Sequence, residues 1–224
     1  MDTQQESLKD LRHIKNMMER SSRFISLSGL SGISAGICAL LGAWFANDII
    51  EKNGGFAGYR TLKGDKDVMQ LQSVIRKELF SLAMLTLISA LIFAFLFTYL
   101  RSKRNNMAIW GTAARRLLIA VAIPMIAGGI YLLREIQLGN YLLIAPGCLI
   151  FYGLALINGS KYTLDEVKYL GYAQIILGMI NCWMTDYGLF FWATGFGVLH
   201  IIYGIFMWYK YERVASQQRS TIRA

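Results

Sequence analysis

Stretches without a charged residue alternate with short charged segments along almost the whole chain. They run between Arg23 and Asp48, Glu78 and Arg101, Arg116 and Arg134, Glu135 and Lys161, Lys168 and Asp186, and Asp186 and Lys210. The enclosed lengths are 24, 22, 17, 25, 17 and 23 residues. About 17–25 apolar residues in a helix cross a hydrocarbon core of about 30 Å. Lipid offers no water to backbone amides, so each crossing must pair its own. The pattern predicts an all-α, polytopic membrane protein of six transmembrane helices arranged as three helical hairpins. The spans fall at about 24–46, 80–100, 117–133, 140–158, 168–184 and 188–208, within a membrane domain of about 24–212.

The segments outside the spans are short. Residues 1–23 place Leu8, Leu11, Ile14 and Met18 at helical spacing between basic residues, the pattern of an amphipathic helix lying in the headgroup plane. The external loop 48–78 holds Asn53-Gly54-Gly55, then an apolar stripe of Val68, Leu71, Ile75 and Leu79 running into span two. Residues 213–224 form a basic tail. None of these pieces has room for a soluble catalytic domain.

Charge sets the orientation. The leading segment, the loop 101–116, the loop 161–168 and the tail hold 16 Lys and Arg, against seven on the opposite side. Basic residues collect on the cytoplasmic side, so both termini are expected in the cytoplasm of a multi-pass inner-membrane protein. Trp44, Trp183, Trp192, Tyr141 and Tyr187 then mark the outer boundary, and Trp110, Trp208, Tyr99, Tyr162 and Tyr209 the inner one. The net charge of +9 fits contact with anionic lipid headgroups rather than nucleic acid. The Asn158-Gly159-Ser160 sequon falls on the cytoplasmic side and is not expected to be used. Cys38, Cys148 and Cys182 all lie in spans, form no Cys-x-x-Cys pair, and read as small buried apolar groups.

Inside the spans, Ser28, Gly32 and Gly36 recur every four residues, flanked by Ser31, Ala35, Ala39 and Ala43. Helices associate in lipid through such close-packing faces, so span one is expected to be surrounded by protein. Gly197, His200 and Gly204 are placed on one small face of span six, aiming His200 into the bundle. Pro124 and Pro146 are expected to kink spans three and four. The hairpins share runs about 50 residues apart: Ile126–Leu133 against Ile175–Ile180, and Phe151-Tyr152-Gly153 against Ile202-Tyr203-Gly204. Span one has a related run, Ile33–Ile37, which suggests parallel repetition of one hairpin.

Candidate chemistry is sparse. No span contains Asp, Glu, Lys or Arg, and His13 and His200 are the only histidines. There is no His-Glu-x-x-His, Gly-x-Ser-x-Gly or P-loop motif. No catalytic, cofactor-binding or metal-binding set is expected. The candidate intramembrane polar site is Gln174, His200 and Asn181. Gln174 lies 12 residues before Asp186 and His200 14 after. The two should sit at similar depth and meet or share a water.

The expected function is that of a non-enzymatic scaffold, sensor or regulatory membrane subunit. Its partners would be membrane lipids, anionic headgroups included, and a protein at the cytoplasmic or external loops. The alternative is a small transporter or channel for a neutral or hydrophobic solute near Gln174 and His200, because short or broken spans at matching positions mark midplane sites. An interfacial lipid enzyme using Arg115, Arg116, Lys168 and Asp165 or Glu166 is the least favoured reading. Oligomeric state has no signature in the sequence. From Ser21 to Gly32, SSRFISLSGLSG, the entry to span one resembles uncharacterised six-span bacterial inner-membrane proteins. The repeated hairpins also resemble a family of short-repeat membrane proteins linked to acid resistance. Neither resemblance implies a catalytic motif.

Overall fold

A computed structural model of the chain describes residues 28–52, 66–104 and 110–213, the side chains of 66–75 and 212–213 excepted. The expected amphipathic helix over 1–23, the glycine-rich part of the external loop and the tail beyond 213 lie outside these residues, as do the side chains of Val68, Leu71 and Ile75. The described residues are all-helical. They form α1 (Gly29–Lys52), α2 (Lys66–Arg104), α3 (Thr112–Leu138), α4 (Ile144–Ser160) and α5 (Val167–Trp183). A last rod then follows. It joins α6 (Gly188–Trp192), a π-helical segment Ala193–Leu199, α7 (His200–Met207) and a second π-helical segment Trp208–Arg213.

Five helices are long and apolar enough to cross a membrane: α1, α2 from Arg76, α3, α4 with the turn before it, and the last rod. Their outward faces carry Leu41, Phe45, Leu85, Phe95, Ile123, Ile130, Ile202 and Phe206, all exposed. In water such faces would drive aggregation; in a bilayer they are the solvated surface. The chain is therefore a multi-pass membrane protein. At 17 residues, α5 is about 26 Å long, just short of the hydrocarbon thickness. By contrast, α2 is one unbroken helix of 39 residues, about 58 Å by its rise, so the stripe before span two and the span itself form a single rod.

Turn chemistry defines the α3–α4 junction. Gly139 has φ +79°, a left-handed conformation that costs glycine nothing. Its N–H and that of Asn140 bond back to the carbonyls of Ile136 and Glu135, and the Asn140 amide reaches Glu135 Oε2 at 2.8 Å. A 3-10 turn, Tyr141–Leu143, leads directly into α4. This corrects the expected kink at Pro146. Pro146 is the third residue of α4, where backbone N–H groups have no intrahelical acceptor and proline removes nothing. Pro124 does lie inside α3.

The helices pack in the order α2, α1, last rod, α4 with α5, and α3. Two of these contacts are backbone-close. A Cβ on Gly36 would sit 2.7 Å from Gly197 O, and one on Gly204 would sit 2.6 Å from Gly29 O. Across α4 and α5, a Cβ on Gly153 would lie 2.7 Å from Gly171 O, one on Gly171 2.8 Å from Gly153 O, and one on Gly178 3.0 Å from Pro146 O. All four helices carry one spacing: Gly29-Ile33-Gly36, Gly171-Ile175-Gly178, Gly197-Ile201-Gly204 and Pro146-Ile150-Gly153. In both seams each glycine faces the carbonyl of the opposite first or last residue, and the four isoleucines fill the space beside Gly36, Gly204, Gly153 and Gly178. Of the small face expected on span one, Gly36 lies in this seam and Gly32 beside it, where a Cβ would be 3.2 Å from Gly204 Cα, while Gly29 completes it; the span is not surrounded by protein, since Ile37, Leu41 and Phe45 are exposed. Its Gly42 turns elsewhere, onto Thr86 of α2.

Candidate functional site

Gln174, on α5, and His200, the first residue of α7, occupy the same place in that spacing, three residues after its first position. Their side chains converge on one backbone oxygen. Gln174 Nε2 donates to the Gly195 carbonyl at 2.8 Å, and His200 Nδ1 lies 3.0 Å from the same oxygen. A carbonyl only accepts, so Nδ1 carries the proton. In a neutral imidazole Nε2 is then the acceptor for the Tyr152 hydroxyl at 2.8 Å. Both ring nitrogens are paired.

The local helix geometry makes this possible. Gly195 sits in the π-helical segment Ala193–Leu199, a wider turn that alters which backbone groups face the helix interior. A Cβ on Gly195 would meet the Leu149 side chain and Gln174 Oε1, the latter at 2.5 Å. With glycine here the Leu149 side chain of α4 and the Gln174 side chain of α5 close on the rod without shifting. Aromatic rings surround the pair: Tyr152 is 5.4 Å from the His200 ring and 5.0 Å from Phe196, and Trp192 is 5.1 Å from Phe196. Gln174 is fully buried and His200 is buried.

The expected common face of Gly197, His200 and Gly204 divides. The two glycines and the His200 carbonyl face α1, where a Cβ on Gly32 would lie 3.3 Å from that carbonyl. The imidazole turns instead to Tyr152 of α4. Asn181 is not part of the cluster. It sits seven residues beyond Gln174 on α5, about 10 Å along the axis, and its amide caps the helix end by donating to Met184 O at 2.9 Å. Gln174 Oε1 and Asn181 Oδ1 are both buried without a hydrogen-bond partner.

A second polar cluster closes one end of the bundle. Glu166, just before α5, accepts from Lys210 Nζ and from the Tyr211 hydroxyl at 2.8 Å. Burial pushes the Glu166 carboxyl up, but the bonds from Lys210 and Tyr211 outweigh it and hold it below its usual range. Leu164, Val167 and Met207 form an apolar core beside this clasp, with Tyr203 and Tyr211 packed against it. The sequence marked Glu166 only as a headgroup-level acid. Its partners lie 44 and 45 residues away and no local pattern announces them. Tyr152 was visible only as part of a repeated Tyr-Gly pair.

Other expected groups have structural uses. The Asn158 amide ties α4 to α3 by donating to Ala120 O at 2.7 Å. Cys38 and Cys148 are half-buried, whereas Cys182 is exposed, contrary to the buried role expected of it. Arg76 donates to the Tyr141 hydroxyl at 2.9 Å, bringing α2 to the α3–α4 turn. Arg115 and Arg116 lie at the start of α3, while Lys168 lies over the Tyr169 ring, 5.2 Å from its centroid. No protein-family model matches this chain, and no curated protein or solved structure is significantly similar to it.

Proposed function

We propose that the chain is a non-enzymatic membrane bundle that works as a scaffold, sensor or regulatory subunit through partners at its basic, cytoplasmic face. It crosses the inner membrane six times as three related hairpins, with both termini in the cytoplasm. Support for the hairpin relationship comes from the shared Gly/Pro-Ile-Gly spacing: two seams join the second helix of one hairpin to the first helix of another. The observation that carries the functional reading is the filled space around Gln174 and His200. The Leu149 and Gln174 side chains close over Gly195 there, where an added Cβ would meet both, and His200 spends both nitrogens on the protein itself. A buried imidazole satisfied in this way fixes one packing arrangement rather than receives a substrate.

One observation favours the transport reading. Two buried amide oxygens on one side of α5, Gln174 Oε1 and Asn181 Oδ1, lack partners, and buried acceptors of this kind usually find one. Swelling of vesicles containing the purified protein, measured with small neutral solutes, separates the two readings. A scaffold leaves permeability at the protein-free level. A rise in permeability that is lost in Gln174→Leu would overturn it in favour of a solute path.

A further inference from the structure

We propose that the inner half of α2, together with the basic residues that follow it in the chain at the start of α3, forms a binding site for one anionic phospholipid. The proposal rests on the reading of α2 as a membrane-crossing helix.

Leu91, Ile92, Phe95, Leu96 and Tyr99 line a groove of about 480 Å³ on the surface of α2. All five are exposed. The opposite side of α2, with Thr86, Ser89, Ala90 and Ala94, is the more covered one, and α2 packs on α1. No comparable seam joins α2 to α3 among the described residues. The groove therefore faces away from the bundle.

Its lining decides what kind of occupant fits. Helices associate in lipid through small residues that let backbones approach, and this chain does so at both of its glycine seams. From Asp65 to Trp110 there is no glycine, and the groove walls are entirely large side chains. Such a surface suits a flexible acyl chain, which moulds to bulky walls through many weak dispersion contacts.

The charged end decides which lipid. Ile92, Leu96, Tyr99 and Lys103 follow one another at four-, three- and four-residue steps, so the apolar stripe runs through a tyrosine into a lysine. Lys103 and Arg104 are exposed. The stretch 101–116 adds Arg115 and Arg116 on the first turn of α3, contains no acid, and includes the exposed Trp110. From Leu91 to Lys103 the rise is about 18 Å. That is close to one leaflet's share of a hydrocarbon core about 30 Å thick, plus the step to the phosphate. Acyl carbons thus lie along Leu91–Tyr99 when the phosphate lies among Lys103, Arg104, Arg115 and Arg116.

The test uses full-length protein in bilayer discs of phosphatidylcholine, alone or with phosphatidylglycerol, read by thermal unfolding and by native mass spectrometry of retained lipid. Phosphatidylglycerol is expected to raise the midpoint by several degrees and to be retained in preference to phosphatidylcholine. The variant K103Q/R104Q/R115Q/R116Q should unfold as the parent does in pure phosphatidylcholine, showing that it is folded, and lose both effects. I92W/L96W, which fills the groove while keeping the charge, should lose retention. An equal midpoint in both lipids, or a preference that survives the charge variant, overturns the proposal. So does an equal shift from soluble glycerophosphate, which would assign the effect to free phosphate chemistry. These readouts do not depend on partner binding or solute flux, so failure here is distinguishable from failure of the scaffold reading.

Discussion

At Gly204 a side chain as small as a methyl has nowhere to go. Its Cβ would meet two backbone atoms, Gly29 O and Ile33 N, each at 2.6 Å. Backbone does not rotate away as a flexible side chain would, so the helices must separate. Gly204→Ala is expected to cost about 1–3 kcal/mol, the usual range for overpacking, in unfolding experiments in mild detergent. Gly129 is the control. A Cβ there meets nothing within 4 Å, and Gly129→Ala should be neutral or stabilising by about 0.5–1 kcal/mol through helix propensity. Equal losses at both positions would contradict the seam. A second test concerns the Gly195 carbonyl, which accepts from both Gln174 and His200. Removing either donor leaves that oxygen one side-chain partner, whereas removing both leaves it none. Gln174→Leu and His200→Phe together should therefore cost more than the sum of the single changes, by about 0.5–3 kcal/mol. Strict additivity in that double-mutant cycle would dissolve the cluster. The sequence placed Gln174 and His200 at one depth because helical rise is regular. It concealed Tyr152 and the shared carbonyl, which depend on helix rotation and on the π-helical segment.

Among the elements, the clasp between the start of α5 and the end of the last rod has a definite pH dependence. Glu166 is held below its usual range despite burial, through Lys210 and Tyr211. A carboxyl lowered on folding contributes stability in full above its unfolded pKa of about 4.3. The contribution is lost as pH falls through the lower folded value. The unfolding midpoint should thus be insensitive to this group near neutrality and decline once the pH drops below about 4. Glu166→Gln should lower the midpoint at neutral pH and flatten the acid limb; an unchanged acid limb in that variant would remove Glu166 from the account. Lys210 is half-exposed, so added salt should weaken the effect as screening does for surface pairs. Element boundaries explain another misreading. Pro146 looked mid-span because the uncharged stretch begins after Glu135. The helix actually restarts beyond Gly139, whose left-handed turn no charge pattern encodes. The Gly/Pro-Ile-Gly spacing, by contrast, stands in plain view in four places, yet the reading of span one follows Ser28, Gly32 and Gly36 at four-residue steps and that of span six takes Gly197 and Gly204 without Ile201.

For the whole molecule, the open question is whether α5 crosses, since length and composition alone qualify the other five rods. Packing bears on it where length does not. The seam between α4 and α5 extends from Gly153 against Gly171 to Pro146 against Gly178, so the two helices run antiparallel side by side there. On the proposed six-crossing reading, α5 returns through the depth that α4 traverses and both termini fall on one side, as the 16-to-seven division of basic residues predicts. Single cysteines at Lys161 and Asp186, both exposed, in a protein whose own three cysteines are replaced by alanine, test this with a membrane-impermeant thiol reagent. Asp186→Cys should label from outside intact cells, and Lys161→Cys only after the membrane is opened. Labelling of both from one side would make α5 a re-entrant or surface helix, leave five crossings, and separate the termini. That result would also break the equivalence of the two seams, because the α1 seam with the last rod joins two helices that each qualify as a crossing.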